Sequence, residues 1–360
     1  MWLEKCTVST GHTSIPRRIS GKVAAELPTW PYATEDWIDM MEVTPDIVAL
    51  AAPEPALRLT RAPWTSPERC LNGAVLSCPG TITEALRRVV QSTQSGDAAA
   101  LVSVSLATVA EHQTLFEFNA DARHYAASAM KLPLVLACYR RADEGRLDLQ
   151  SPILVHNEFI SRVGGTFEVD RTDDSDPEVW GRVGQHVPLA WLCRRSLVRS
   201  SNLATNLVLA AVGLPAVTAT LADLGADGVE VVRGIGDFAA ADRGLTNVIT
   251  TRGLTTLLLA LGDQTAGSSQ ACAAVLEMLA ANEIDTEIRA ALPEGTYVAH
   301  KNGWVTGVLH DAALIRPSDA AELVLSVATT GGWNEGSARG FIHAIAAQVW
   351  RHRDQLVPAW

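Results

Sequence analysis

The stretch SAMKLPLVLACYRRADEGRL, residues 128–147, carries the pattern on which the fold assignment of this chain depends. Its apolar residues predict a helix that begins near Ser128 and ends by Gly145. Ser128 and Lys131 stand three positions apart, so their hydroxyl and amine share one helical face and can come within hydrogen-bond reach. A serine in the first turn of a helix also lies beside free backbone N–H groups, which stabilise a developing oxyanion.

The spacing of Ser128 and Lys131 suits nucleophilic catalysis, because a serine hydroxyl needs a base to take its proton. Lysine can be that base if burial or a neighbouring cation lowers its pKa, whereas arginine stays charged. The chain has 29 basic residues, of which the lysines are Lys5, Lys22, Lys131 and Lys301. Where arginine is used almost everywhere, each lysine calls for an explanation. A Ser-x-x-Lys pattern also arises by chance, so alone it does not establish a site.

Working outward from this helix, the chain predicts a mixed α/β domain with a long helical insertion. Residues 81–94 predict a helix capped by Thr83, residues from about 150 to 290 are dominated by helical periodicity, and a final helix runs from Ser337 to about Arg353. Strand patterns occur at residues 99–107, 114–119, 296–304, 307–317 and 323–329. This order predicts an antiparallel sheet whose first and last strands meet across an all-α lobe, with a cleft between sheet and lobe.

Composition excludes several classes of protein. With 360 residues, 48% hydrophobic and 19% charged, the chain can bury a large core. Its net charge of −11 disfavours binding to nucleic acid or to an anionic membrane surface. The most apolar stretch, residues 207–221, is interrupted by Gly213 and Pro215 and is too short for a membrane span. The first 20 residues lack the apolar segment of an export signal, so we expect a cytoplasmic protein with free thiols, although Cys70 and Cys78 could pair.

Residues 1–80 differ from the rest of the chain in composition and periodicity. They contain four of the ten tryptophans and many prolines, without a long periodic run. We interpret them as an extension that packs on a main domain spanning residues 81–360; a lid or a dimer contact is the alternative. The cysteines fall in no metal-like spacing, and we predict neither a metal nor another cofactor. The oligomeric state is left open.

Two further polar patterns follow the first helix. Ser200-Ser201-Asn202 places a hydroxyl and an amide two positions apart on a predicted turn between helices, where both can face one cleft. The alternative is an ordinary helix N-cap formed by Ser200 or Ser201. Lys301-Asn302-Gly303 lies in a strand pattern, and its glycine lets another backbone or a ligand approach closely. Here the alternative is an exposed lysine at a strand end, which the apolar flanks and the scarcity of lysine disfavour.

Together, the three patterns resemble the three motifs of serine β-lactamases and penicillin-binding proteins. The helix at residues 128–147 resembles the nucleophile helix of class A β-lactamases. The segments RSSNLATNLVLAAVG, residues 199–213, and HKNGWVTGVLHDAALI, residues 300–315, resemble the second-motif and third-motif regions of the same family. The resemblance covers residues 81 to about 355 and implies the β-lactamase/transpeptidase-like fold.

The resemblance also implies a role for each matching residue. Ser128 would be the acylated nucleophile and Lys131 its general base or part of the relay. Ser200 would pass a proton to the leaving group, and Asn202 would orient both Lys131 and the substrate amide. Lys301 would hold a substrate carboxylate and help to keep Lys131 neutral.

The third-motif region would supply the remaining contacts. The backbone N–H groups of Ser128 and Trp304 would form the oxyanion hole, with Gly303 allowing the close approach. His310 falls where class A enzymes often have a carboxylate-binding arginine, or else caps the turn before Asp311.

This sequence departs from the family pattern at three places. Ser201 replaces the usual Asp, and Asn302 replaces a Thr or Ser, so an amide would have to bind the substrate carboxylate. The loop between the second and third motifs lacks the Glu-x-x-x-Asn pattern that activates the deacylating water. Asp237 is the acid nearest to that position, and it acts either as the missing base or as a helix cap or surface ion pair.

The sequence thus predicts a serine hydrolase that acts through a Ser128 acyl-enzyme on an amide, ester or lactam, with a small, carboxylate-bearing substrate and a biosynthetic role. Three alternatives stay open. The same acyl-enzyme could serve an acyltransferase or peptide-bond-forming enzyme, or it could persist in a β-lactam sensor. A non-catalytic scaffold would require the three patterns to be relics.

Overall fold

The computed structural model describes residues 81–94 and 100–356. The predicted extension at residues 1–80, including Cys70 and Cys78, lies outside them. The helices are α1 (Ile82–Gln94), α2 (Lys131–Asp143), α3 (Pro177–Trp180), α4 (Leu189–Val198), α5 (Asn202–Val212), α6 (Leu214–Asp223), α7 (Phe238–Ala241), α8 (Thr251–Gly262), α9 (Ser269–Ala280) and α10 (Glu335–Arg351). The strands are β1 (Ala100–Thr108), β2 (Thr114–Phe118), β3 (His124–Tyr125), β4 (Pro152–Leu154), β5 (Phe159–Ile160), β6 (Thr166–Phe167), β7 (His186–Pro188), β8 (Val248–Ile249), β9 (Tyr297–Val305), β10 (Val308–Arg316) and β11 (Leu323–Gly331). Short 3₁₀ turns occupy Ala127–Met130, Arg171–Asp173, Arg289–Ala291 and Arg353–Leu356.

The main sheet is antiparallel, with the strand order β2-β1-β11-β10-β9. Strand β1 pairs with β11 along its full length, from Ala100 opposite Gly331 to Thr108 opposite Leu323. The first and last strands therefore meet across everything between them, which confirms the predicted arrangement. Strand β9 lies at the edge, so alternate backbone N–H groups of that strand point out of the sheet.

Each face of the sheet is covered by helices, as the alternation of its strands requires. Val102, Val104 and Leu106 of β1 pack toward α1 and α10, with the apolar residues of those helices. The opposite face packs against the helical lobe, whose centre is α2. Because Lys131 to Cys138 are all buried, α2 runs through the core rather than along its surface.

The structure corrects three details of the predicted elements. The α-helix begins at Lys131, since Ala127–Met130 forms a 3₁₀ turn that carries Ser128. Thr81, and not Thr83, caps α1: its hydroxyl accepts from Glu84 N, and its own N–H donates to Glu84 Oε2. The Thr83 hydroxyl donates to Leu115 O. The lobe is not entirely helical, because it also contains the short antiparallel pairs β4–β7, β5–β6 and β3–β8.

In the described residues, no single helix is both long and apolar enough to cross a membrane. The consecutive helices α5 and α6 meet the length and composition criteria only as a pair, and they are bent by 84° relative to each other. Within the same residues, Cys138, Cys193 and Cys272 are free thiols, as expected.

Candidate active site

Ser128 is presented by a strained backbone turn at the start of α2. The preceding Ala127 has a φ of +43°, in the left-handed region that residues with a Cβ rarely adopt. Ala127, Ala129 and Met130 are buried, whereas Ser128 is only half-buried. Backbone strain of this kind persists where the surrounding structure fixes it, and it clusters at functional sites. Here it directs the one partly exposed side chain of the turn toward the cleft.

Lys131 is fully buried and is held by the second pattern. Its Nζ lies 2.5 Å from Ser200 O, 2.7 Å from Asn202 Oδ1 and 3.1 Å from Ser200 Oγ. Nζ is the donor to all three oxygens, of which the two carbonyl oxygens can only accept. Burial first, and then the Lys301 ammonium, lowers the pKa of Lys131 well below its usual range, whereas Asp174 and Asp173 oppose the shift.

In the part of the chain that the structure describes, the Ser128 hydroxyl makes no hydrogen bond to Lys131. Catalytic hydrogen bonds are often long before substrate binds. The amine is oriented instead by Ser200 and Asn202, which stand at the junction of α4 and α5.

The junction between α4 and α5 has a strained residue of its own. Ser200 has a φ of +55°, which turns both its carbonyl and its hydroxyl toward Lys131. Asn202 contributes its Oδ1 to Lys131, and its Nδ2 donates to Asp173 O at 2.7 Å. The sequence allowed this segment to be either a helix N-cap or part of a site, and the structure shows both. Ser201 is the helix N-cap, whereas Ser200 and Asn202 face Lys131.

Ser201 replaces the usual Asp of the second motif, and a carboxylate from another loop stands beside it. The Ser201 hydroxyl accepts from Ala204 N and donates to Asp174 Oδ2, which also accepts from Leu203 N at 2.7 Å. Asp174 thereby fastens the loop before α3 to the first turn of α5. The negative charge missing from the motif is present, supplied from 27 residues earlier in the chain.

Gly303 brings the third pattern against the nucleophile turn. A Cβ built on Gly303 would lie 2.8 Å from Ala129 N and 2.9 Å from Ser128 N. Side chains do not reach backbone atoms at such distances, so this position requires glycine. The edge strand β9 therefore runs directly alongside the backbone of Ser128.

Lys301 is buried on the same face of β9 as Gly303, following the two-residue period of a strand. Its Nζ donates to Asn302 O at 2.8 Å and to Asn302 Oδ1 at 3.2 Å. Burial lowers the pKa of Lys301 to about 7, although Asp311 and Glu287 favour its charged form. Lys301 in turn disfavours the charged form of Lys131, as the sequence suggested.

Asn302 and His310 are placed differently from the prediction. The amide of Asn302 is fully buried and donates to Ile284 O at 3.1 Å and to Glu287 Oε2 at 2.9 Å, so both of its hydrogens are already used. His310 is buried, donates from Nε2 to Tyr125 O at 2.9 Å and accepts from Thr329 N at Nδ1. Burial lowers the pKa of His310 to about 4, which leaves it neutral near neutral pH. Neither side chain can bind a substrate carboxylate as expected, and His310 does not cap a turn.

Asp237 is a helix cap and not an available base. Its Oδ1 accepts from Ser161 Oγ at 2.8 Å and from Ala240 N at 3.1 Å, and its Oδ2 accepts from Arg162 N at 3.0 Å. The carboxylate is completely buried. The β5–β6 hairpin thus holds the loop before α7, and both carboxylate oxygens are occupied by groups of the protein.

Trp304 directs its side chain away from the nucleophile. It follows Gly303 in the strand and therefore faces the other side of β9. There it lines a cavity of about 390 Å³ together with Trp333 and the first residues of α10. The backbone of Trp304 follows Gly303 beside the nucleophile turn, whereas its indole lies on the opposite face of β9.

Two acids in the site escaped the sequence analysis. Asp173 lies at the rim of the cleft, where partial burial and the carboxylates of Asp170 and Asp174 raise its pKa to about 6. Glu287 lies buried behind Lys301 and Asn302. Asp173 lies in an acidic stretch, residues 171–180, and no pattern in the sequence singled out Glu287. Within residues 81–94 and 100–356, no cluster of three His, Cys, Asp or Glu side chains could hold a metal ion.

Comparisons with known proteins agree with this geometry. A profile described as the beta-lactamase enzyme family matches residues 81–353. The comparison with curated proteins gives no match.

Among solved structures, a beta-lactamase from Sphaerobacter thermophilus superimposes with a TM-score of 0.64 at 24% identity, covering 77% of this chain and 98% of its own. A beta lactamase from Xanthomonas campestris gives 0.64 at 22% identity, covering 76% and 98%. A mutant of PBP-A, solved as an acyl-enzyme complex with penicillin G, gives 0.63 at 18% identity, covering 77% and 98%. The predicted family resemblance and fold are confirmed.

Proposed function

Since the chain belongs to the beta-lactamase enzyme family, we propose that it is a serine hydrolase that forms an acyl-enzyme on Ser128. The observation that carries the proposal is the environment of Lys131, a buried amine given two obligate acceptors and one hydroxyl. An uncharged lysine beside a presented serine is what proton abstraction from that serine requires.

In the proposed reaction, Ser128 Oγ attacks the carbonyl carbon of an amide, ester or lactam while its proton passes to the Lys131 amine. The carbonyl π electrons move to the oxygen, which is stabilised by the N–H groups of Ser128 and Trp304. When the tetrahedral intermediate collapses, the bond to the leaving group breaks. The leaving group takes the proton from Lys131 through the Ser200 hydroxyl, which lies 3.1 Å from the amine. Water then attacks the ester carbonyl, the bond between the acyl carbon and Ser128 Oγ breaks, and the acid is released as Oγ takes back a proton.

A second candidate function is favoured by the burial of Asp237. In this family a loop carboxylate activates the deacylating water, but here the nearest acid of that loop is spent on Ser161, Arg162 and Ala240. Hydrolysis must then rely on Lys131 for the second step as well. A slow second step would leave an acyl-enzyme that either persists or passes its acyl group to an amine, as in the acyltransferase and sensor alternatives.

Time-resolved intact mass spectrometry after mixing with penicillin G tests both functions. The PBP-A mutant forms an acyl-enzyme with this compound. An adduct that appears and clears in buffer supports hydrolysis, one that clears only when an amine is added supports transfer, and a permanent one supports a sensor.

The matched controls are Ser128→Ala, which should remove the adduct, and Ser92→Ala at an exposed serine of α1, which should not. An adduct of unchanged rate in Ser128→Ala would contradict the proposal. The cytoplasmic location and the biosynthetic role stay predictions from the sequence.

A further inference from the structure

Lys301, the residue expected to bind a substrate carboxylate, is already surrounded by groups of its own chain. Its side chain is buried and donates to the carbonyl and the amide oxygen of Asn302. Both Asp311 and Glu287 lie close enough to favour its charged form. The positive charge of Lys301 is therefore balanced inside the protein before any ligand arrives.

Among the groups around Lys301, Glu287 was not predicted from the sequence. Its side chain is only 2% exposed. Oε2 accepts from Asn302 Nδ2 at 2.9 Å, and Oε1 accepts from Thr286 Oγ1 at 2.7 Å. Arg339 approaches Oε1 no closer than 3.4 Å and also pairs with Glu335. The buried carboxylate thus sits one amide group away from the residue that would hold a substrate anion.

The other acid, Asp311, is tied to the structure. It pairs with His300 Nδ1 at 3.0 Å and accepts from Ile288 N at 2.9 Å, and all three residues are buried. Apart from His300, the buried charges behind β9 are one cation, Lys301, and two carboxylates, Glu287 and Asp311. Arg339 is partly exposed and shared between Glu287 and the exposed Glu335. A substrate carboxylate placed beside Lys301 would add a third negative charge at a partly desolvated position, where like charges repel strongly.

The hydrogen-bond donors of the region are also used. The Asn302 amide donates to Ile284 O and Glu287, and the neutral His310 donates to Tyr125 O. A carboxylate would find no free side-chain donor on Asn302 or His310, and Lys301 already uses two of its three N–H donors on Asn302. Burying a charged group without such partners is costly, whereas a neutral ester or amide loses little.

We propose that Glu287 is a specificity-determining residue that disfavours substrates with a carboxylate beside the reacting carbonyl, so that the enzyme acts on neutral acyl compounds. This inference rests on the proposed function. It opposes the expectation from the sequence that the substrate bears a carboxylate, because the charge that opposes the carboxylate comes from a residue outside the three motifs.

Two probes that differ only in this charge test the proposal: penicillin G and its methyl ester. The second-order rate constants of Ser128 acylation are measured by intact mass spectrometry. We expect the ester to acylate the wild-type protein at least tenfold faster than the free acid. In Glu287→Gln, which keeps the shape and the acceptor for Asn302, the ratio should fall at least fivefold, because the lost negative charge disfavoured penicillin G and not its ester.

Glu335→Gln is the matched control. Glu335 shares Arg339 with Glu287, but its side chain is 62% exposed on α10 and has no contact with Asn302. This variant should keep the wild-type ratio. The ratio in the wild-type protein does not depend on whether Glu287→Gln folds. Equal rates or a preference for penicillin G would overturn the inference alone, whereas failure of both probes to acylate Ser128 would overturn it together with the proposed function.

Discussion

Replacing Gly303 with alanine tests whether the contact between β9 and the nucleophile turn sets the rate of acylation. The added Cβ would stand 2.8 Å from Ala129 N and 2.9 Å from Ser128 N. Ordinary contact begins near ~3.4 Å, so one backbone must give way by about 0.6 Å. Neither atom belongs to a side chain that can rotate away. The shift must therefore move the strand or the turn itself.

The expected result follows from the size of that shift. A misplacement of about 1 Å can cost a hundredfold in rate, so we expect Gly303→Ala to slow acylation by roughly 10- to 100-fold. The overpacking should lower the free energy of unfolding by about 1–3 kcal/mol. Acylation is followed by intact mass spectrometry with an activated ester, and unfolding is followed by thermal and chemical denaturation.

Gly340→Ala provides the control for the same substitution. Gly340 lies within α10, and a Cβ there would meet nothing within 4 Å. Alanine should stabilise the helix by about 1 kcal/mol and leave the acylation rate unchanged. If Gly303→Ala acylates within twofold of the wild-type rate, the close packing of β9 on Ser128 does not position the nucleophile, and this reasoning fails.

Three further substitutions separate the roles of the charged groups. Lys131→Met should reduce acylation by about a thousandfold while the protein stays folded, as judged by circular dichroism, since the proton acceptor is lost. Lys301→Met should move the acid limb of the acylation pH profile to higher pH, because Lys131 reacts as the neutral amine and its pKa rises when the neighbouring cation is removed; a limb that stays in place would refute the coupling. Asp237→Asn should leave the rate of adduct clearance within twofold and lower the free energy of unfolding by about 1–3 kcal/mol, since the carboxylate serves the hairpin; a tenfold slower clearance would restore Asp237 as the base.

The sequence was sufficient for the fold because its signals are local. The core helix after Ser128 follows from a run of apolar residues, and the strands follow from alternation and length. The meeting of β1 with β11 also followed from the order of elements along the chain. The three motifs then supplied what periodicity cannot: that Lys131, Ser200 and Gly303, far apart in the chain, converge on one cleft.

The wrong predictions for the site concern side chains whose direction depends on partners far away in the sequence. Asp237 was assigned by its distance from the second motif, but the β5–β6 hairpin decides its environment by placing Ser161 and Arg162 on the carboxylate. The orientation of Asn302 could have been predicted from the two-residue period of a strand. In a strand, residues 301 and 303 share one face, so Asn302 must face the other one.

His310 was matched to the carboxylate-binding arginine of class A enzymes by its distance along the chain from Lys301. The register of the sheet shows why its side chain does not reach that position. The β9–β10 turn consists of Thr306 and Gly307, so the register places His310 opposite Gly303 and Leu309 opposite Trp304. His310 therefore points toward the nucleophile turn, where it holds Tyr125 O three residues before Ser128. It supports the backbone of the turn and does not contact the cleft from the strand end.

The two buried lysines explain why this site tolerates an altered set of motifs. Burial lowers the pKa of both lysines, but the groups around them differ. The direct partners of Lys131 are uncharged oxygens, whereas Lys301 has two carboxylates nearby that favour its charged form. The acids behind β9 thus favour a cation at Lys301, and that charge adds to burial in favouring a neutral Lys131. Glu287 then has two effects from one position: it supports the charge that activates the base, and it repels an anionic substrate. A family member that exchanges carboxylate recognition for this arrangement can keep its nucleophile chemistry while changing what it acts on.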